Sequence, residues 1–169
     1  MEFVLPCEQY LASYREAYAE DIAVNKGELQ MLIHPDIAVA RSEKERRGEG
    51  LPAGYVPATT LWLVDGGRFI GRVNIRHRLT PGLLRFGGHI GYTIRPSEQG
   101  KGYGKLQLAM ALDYCREHFG FDRVLVTCDD TNVRSAKTIE ANGGVLQDKI
   151  ENEIEPGHFA VTRRYWITL

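Results

Sequence analysis

The chain is poor in the features that define several protein classes. It has three cysteines, Cys7, Cys115 and Cys128, far apart and with no C-x-x-C pair, so neither a disulfide framework nor a cysteine zinc site is indicated, and a reducing, cytoplasmic setting fits best. Nowhere do 18 apolar residues run together, which excludes a membrane-spanning helix and gives no reason to expect a membrane partner. The opening MEFVLPCEQY has no basic segment followed by an apolar run and does not read as a secretory signal. Charge of one sign is also missing: 21 Lys and Arg against 22 Asp and Glu leave a net charge of −1, so no global field draws in a nucleic-acid backbone and no nucleic-acid partner is expected. The five histidines, His34, His77, His89, His118 and His158, show no metal-ligand spacing, and no metal is expected. Glycine, by contrast, is plentiful, at 18 of 169 residues, with neither a collagen period nor a Gly/Ser linker.

The length suits one domain, residues 1–169, with no visible repeat or internal boundary. Tyr10, Leu11, Tyr14, Ala17 and Tyr18 fall at helical spacing and predict an amphipathic helix over residues 7–19. Residues 20–58 are less regular. A second helix is expected around Ile37–Arg47, and the proline- and glycine-bearing stretch Leu51–Pro57 cannot hold one. From Thr59 the pattern turns to strands: Thr59–Val64 and Arg68–His77 joined by the hairpin turn Asp65-Gly66-Gly67, a loop around Thr80-Pro81-Gly82, then His89–Arg95. A helix is expected over Lys101–Phe119, stopped by Gly120. Arg123–Cys128 reads as a central strand covered on both faces, Asn132–Ala141 as a helix closed by Asn142-Gly143-Gly144, and Val145–Ile150 and Phe159–Ile167 as the last strands. Strands with interspersed helices imply an α/β fold with a mixed sheet.

The segment richest in chemistry joins a strand to the long helix: Gln99-Gly100-Lys101-Gly102-Tyr103-Gly104-Lys105. Glycines there let the backbone approach a ligand, and the first-turn N–H groups of a helix lack intrahelical partners, so the junction suits a phosphate. A Walker loop fails, because Gln99 and Leu106 stand where glycine and Ser/Thr are needed. A dinucleotide fingerprint fails as well, with Lys105 or Gln107 at the third glycine.

The pattern Q/R-x-x-G-x-G/A fits, and on it the chain resembles the GNAT family of acetyl-CoA-dependent N-acetyltransferases. Val124–Cys128, Asn132 and Gly143-Gly144 follow in the order of that family's next strand and helix. The wording of Gly88–Tyr92, Arg123–Asp130 and Arg163-Arg164-Tyr165-Trp166 resembles a bacterial branch. The resemblance covers residues 59–169 as the coenzyme-binding core, with 1–58 as a variable N-terminal helical part. It implies a mainly antiparallel central sheet flanked by helices, and acetyl-CoA as co-substrate. It further implies that Gln99, Gly100, Lys101, Gly102, Tyr103, Gly104 and Lys105 hold the pyrophosphate. Tyr92, Thr93 and Ile94 would line the pantetheine arm, with an N–H near Ile94 facing the developing oxyanion, and Asn132 and Ser135 would contact the arm from the second helix.

The catalytic residues depart from the family's pattern. The usual glutamate positions hold Gly88 and His89, and the usual tyrosine position holds Ile139. His89 is the candidate base because imidazole titrates near neutrality. Tyr165 or Tyr92 could protonate the departing thiolate, or it could leave unassisted. Asp129 and Asp130 end the central strand and could attract a cationic amine or take its proton through water, with Asp130 also a candidate helix cap. Arg72, Arg76 and Arg78 alternate onto one strand face. If that face borders the acceptor site, Arg76 would bind a carboxylate or phosphate of the substrate. The expected function is N-acetylation of a small-molecule or peptide amine by a monomer or homodimer, with a non-catalytic coenzyme A-binding module as the alternative.

Overall fold

The computed structural model describes residues 1–25, 32–155 and 157–169. Residues 26–31, part of the irregular 20–58 stretch, lie outside them. In chain order the elements are β1 (Glu2–Val4), α1 (Leu11–Asn25), α2 (Pro35–Arg47), β2 (Ala58–Asp65), β3 (Arg68–Arg76), α3 (Pro81–Arg85), β4 (Ile90–Ile94), α4 (Tyr103–Phe119), β5 (Arg123–Asp129), α5 (Val133–Glu140), β6 (Val145–Glu155) and β7 (His158–Thr168). The strands form one seven-stranded sheet in the order β1-β2-β3-β4-β5-β7-β6, antiparallel at every junction except β4–β5. The mixed, mainly antiparallel sheet flanked by helices is the architecture that the resemblance implied.

The helices cover the two sheet faces separately. Val73, Ile75, Ile90, Val124, Val126 and Tyr165 pack with Leu108, Leu112 and Cys115 of α4 and Ile139 of α5. Trp62, Val64 and Phe69 pack with Tyr14 and Ala17 of α1 and Ala38 of α2, with Tyr14 stacked on Trp62 at 4.4 Å between centroids. Phe69 joins this second core because Leu63 pairs with Gly71 while Val64 pairs with Phe69. The extra residue on β3 is a bulge that turns Phe69 to the other face.

The structure differs from the sequence expectations at several elements. The N-terminal helix begins at Leu11, behind a 3-10 turn at Glu8–Tyr10, and runs on to Asn25. Three residues, too few for a periodic signal, form β1 against β2. The loop at Thr80-Pro81-Gly82 opens the short helix α3, because Thr80 accepts from the Leu83 N–H and Pro81 suits the first helical position. The long helix starts at Tyr103, two residues later than expected, because Gly102 ahead of it is left-handed at φ 86°.

One latch ties α1 to the end of β4. Arg95, 3% exposed, donates to Glu16 at 3.0 Å and Glu20 at 2.6 Å, and Glu20 also accepts from the Ser97 N–H. Burial acts to raise the Glu20 carboxyl, but the hydrogen bonds from Arg95 and Ser97 outweigh it and hold the pKa at about 2.

Candidate active site

β4 and β5 pair in parallel at a single register position, Ile90 with Val126, and then part. The seam below that point is tight. Gly88 has φ +60°, and a Cβ on it would lie 2.4 Å from the Leu125 carbonyl oxygen, so a glutamate cannot stand there. Above the seam β4 still pairs with β3 on its other side, through Gly71–Ile94 to Ile75–Ile90. His89 accepts the Arg76 N–H and Arg95 donates to Ile70, so alternation along β4 turns the backbone groups of Ile90, Tyr92 and Ile94 toward β5. Beyond Ile90 no β5 partner meets them.

The opening broadens into a pocket of about 590 Å³ between β4, the glycine turn and α5. Of the residues assigned to the coenzyme, Tyr92, Thr93, Ile94, Gln99, Gly100, Gly102, Gly104, Lys105, Asn132 and Ser135 line it; Lys101 and Tyr103 do not. Lys101 instead pairs with Glu98 at 2.8 Å. Gln99 donates to the Ile94 carbonyl at 3.2 Å, tying the turn to the strand. No side chain caps Gly102, so the N-terminus of the 17-residue α4 presents first-turn N–H groups to the pocket. Glu98, whose carboxylate is taken up by Arg68 and Lys101, and Arg134, Lys137 and Thr138 also line it and were missed in the sequence. Their signal is the spacing of Arg134 and Lys137, one turn apart on α5. Glycine turn, uncapped helix end and three cations together fit a pyrophosphate. Asn132 is the N-cap of α5, accepting from the Ser135 N–H at 3.0 Å.

The tyrosines separate by position. Tyr92 lines the pocket, its hydroxyl 2.9 Å from Ser135 Oγ, and burial raises its pKa. Tyr165 is fully buried in the core under α5 and donates to Glu140 at 2.9 Å. It does not reach the pocket.

The structure does not bring His89 to the pocket either. Its Nδ1 accepts the Leu125 N–H at 2.9 Å, and its ring packs near Phe121 and Trp166. Burial and then the nearby Arg76 charge push its pKa down to about 4. It sits below the seam as a neutral acceptor that joins β4 to β5. Asp129 Oδ1 accepts the Thr131 N–H at 2.8 Å and the Thr131 hydroxyl, at the exposed end of β5. Asp130 is not the helix cap: it bonds Arg163 at 2.5 Å and Lys149 at 2.8 Å, fixing the β6–β7 strands.

On the opposite face of β3 lies a larger cavity, about 780 Å³, between α2, the 51–57 loop and the α3 segment. Arg72, Asn74 and Arg76 line it. The expected arginine face therefore borders a cavity, except that Arg78 lies beyond the end of β3 and is exposed. Arg76 Nη1 donates to the carbonyls of Gly87 at 2.8 Å and Gly88 at 3.0 Å. Among the described residues no cluster of three or more His, Cys, Asp or Glu could hold a metal. No described helix is long and apolar enough to cross a membrane.

Comparison with known proteins gives this geometry a family. Residues 11–145 match the acetyltransferase (GNAT) domain. No curated protein matches the sequence. Among solved structures, RimL, a ribosomal L7/L12 α-N-protein acetyltransferase in complex with coenzyme A, superposes with a TM-score of 0.73 at 15% identity, covering 99% of this chain and 93% of that one. An acetyltransferase from Salmonella typhimurium that modifies the N-terminal serine of ribosomal protein L7/L12 gives 0.72 at 15% identity, with coverage of 99% and 94%. The microcin C7 self-immunity acetyltransferase MccE, with acetyl-CoA and AMP, gives 0.72 at 16%, with coverage of 99% and 91%. At such identities the likeness establishes the fold. The domain match covers most of the chain, which thus belongs to the GNAT acetyltransferase family. Its activity is acetyl transfer, with acetyl-CoA as the donor.

Proposed function

We propose that this enzyme acetylates a primary amine of a small molecule or peptide by direct attack, with both substrates bound together. The observation that carries the reading is the parting of β4 and β5 above Ile90 and Val126, flanked by an uncapped helix end. Acetyl-CoA supplies an activated acyl group on a thiol whose pKa, about 8.5, makes it a tolerable leaving group. The turn N–H groups between Gly100 and Lys105 hold the pyrophosphate, with Lys105, Arg134 and Lys137 around it. Asn132 and Ser135 flank the coenzyme arm. The N–H groups of Tyr92 and Ile94 face the arm and the carbonyl oxygen on which negative charge develops.

Tyr92, hydrogen-bonded to Ser135, donates the proton that the departing thiolate takes up, in place of the tyrosine that Ile139 replaces. Only about one molecule in a thousand of an amine with a pKa near 10 is free base at pH 7. Asp129, at the open end of β5, draws the ammonium form and receives its proton through water. His89 holds the seam and positions β4. Direct attack is favoured over a covalent enzyme intermediate because burial raises the pKa of Cys128, the nearby thiol, and leaves little thiolate. The peptide arm of the proposal draws on the likeness to ribosomal-protein acetyltransferases.

Calorimetry with coenzyme A and a thiol-release assay over a panel of amines test the reading. Tyr92→Phe is expected to lower kcat with coenzyme affinity unchanged. Coenzyme binding without thiol release for any amine would leave only a binding module, and no binding at all would refute the site.

A further inference from the structure

We propose that Arg95 is a positioning residue for coenzyme binding: from outside the pocket, through Glu20 of α1, it presets the short segment that carries the glycine turn. This rests on the coenzyme reading of the pocket above and adds to it what holds the turn ready.

The segment from Arg95 to Glu98 joins the strand that lines the arm to the turn that holds the pyrophosphate. Ile94, Glu98 and Gln99 line the pocket, whereas Arg95, Pro96 and Ser97 do not. The Arg95 guanidinium therefore acts on a ligand only through the chain that it anchors. Its Nε and Nη2 both donate to Glu20, at 2.9 and 2.6 Å, Nη2 also donates to Glu16 at 3.0 Å, and Nη1 donates to Ser13 Oγ at 3.2 Å. The second Glu20 oxygen accepts the Ser97 N–H at 3.1 Å. One carboxylate thus holds a side chain and a backbone group of the same segment. Ser13 Oγ in turn accepts the Phe69 N–H at 3.0 Å, which ties α1 to the neighbouring end of β3.

Burial and register direct the effect to affinity. The buried guanidinium cannot exchange its carboxylates for water, and a buried cation stripped of a partner is costly. The segment is accordingly ordered before a ligand arrives, and N–H groups that need no ordering bind without that entropic loss. The strand itself does not depend on the side chain. The Arg95 N–H closes the β3–β4 ladder on the Ile70 carbonyl at 2.8 Å, and the Gly71–Ile94 pair lies inside that rung. Removing the guanidinium frees the turn and leaves the Ile94 N–H in place, so binding weakens while the chemical step persists. Arg68 braces the far side, paired with Glu98 at 3.0 Å and bonded to Ser97 Oγ at 3.3 Å. A turn gripped at two points loosens, rather than unfolds, when one grip is lost.

The test compares the full wild-type chain with Arg95→Gln by coenzyme A calorimetry, thiol-release kinetics and denaturant unfolding. Arg95→Gln is expected to weaken coenzyme A binding about ten-fold and to raise the acetyl-CoA KM by a similar factor, with kcat kept within about two-fold. Arg95→Lys, which keeps a cation against Glu20, is expected to recover part of the affinity. Glu20→Gln serves as the second variant if Arg95→Gln does not fold, and it should lose affinity in the same direction. Glu16 bonds the guanidinium but not the backbone of the segment, and its side chain is 63% exposed, so Glu16→Gln is expected to bind coenzyme A as the wild type does. A lower unfolding midpoint with coenzyme affinity unchanged, a fall in kcat in place of the rise in KM, or an equal loss in Glu16→Gln overturns the proposal. Failure of the wild type itself to bind coenzyme A would refute the pocket reading and this proposal with it, so the two readings fail by different signals.

Discussion

The two cavities either side of the β3–β4 ladder are built from different materials. The coenzyme opening is made of backbone: parted strands, a glycine turn with φ of 79° at Gly100 and 86° at Gly102, and an uncapped helix end, with cations only around it. The cavity between β3 and α2 is made of side chains, with the half-buried Arg72 and Arg76 inside walls drawn from α2, two loops and β3. Backbone donors have fixed direction whatever the side chains do, and they suit a cofactor that every family member shares. Side chains, by contrast, can change one at a time under the same backbone.

Substitutions at glycine divide these regions. The largest effect is expected at the seam that underlies both. In Gly88→Ala, the left-handed strain of about 1–2 kcal/mol and overpacking against the Leu125 carbonyl add to a destabilisation of about 4 kcal/mol in denaturant unfolding. Wild-type stability in that variant would mean the seam can open without cost.

Gly102→Ala acts on the coenzyme side alone. Its φ of 86° disfavours any Cβ by about 1–2 kcal/mol, so coenzyme A affinity should drop roughly ten-fold by calorimetry, with acceptor KM unaffected.

The smallest effects concern residues outside both cavities and are read as pH dependence. His89 has a folded pKa of about 4 against an ordinary 6.5, so between those values the unfolded chain binds more protons. Stability should therefore decline as pH falls from about 6.5 to about 4, and His89→Gln should remove that part of the decline. Glu20, with a folded pKa of about 2 against 4.5, contributes stability that is full above pH 4.5 and is lost as pH falls toward 2. Glu20→Gln should flatten that lower limb.

The legible parts of this molecule are local ones. Gln99 to Lys105 declared a ligand turn because glycine spacing and a helix start are adjacent in the chain. Most of the residues assigned there do line one pocket. Lys101 and Tyr103 are the departures, and the Lys101 ammonium is paired with Glu98. Burial and long-range pairing were not legible. The residue type of His89 suggests titration near neutrality, yet Phe121 and Trp166, far along the chain, enclose it and its Nδ1 is used by a backbone N–H. Tyr165 and Tyr92 look alike in sequence, and only their opposite positions relative to α5 separate a core hydroxyl from one in the pocket. Arg95 reads as an ordinary strand-end cation until α1, 75 residues earlier, brings Glu20 to it.

By itself, the sequence determined what depends on neighbours along the chain: the alternation that makes strands, the glycines that permit left-handed turns, and the helix start that presents N–H groups. Tertiary structure alone decided which charges are buried, which hydroxyl faces the opening and where the single parallel pair ends. Those outcomes depend on desolvation and on contacts between residues distant in sequence, and no local pattern encodes either.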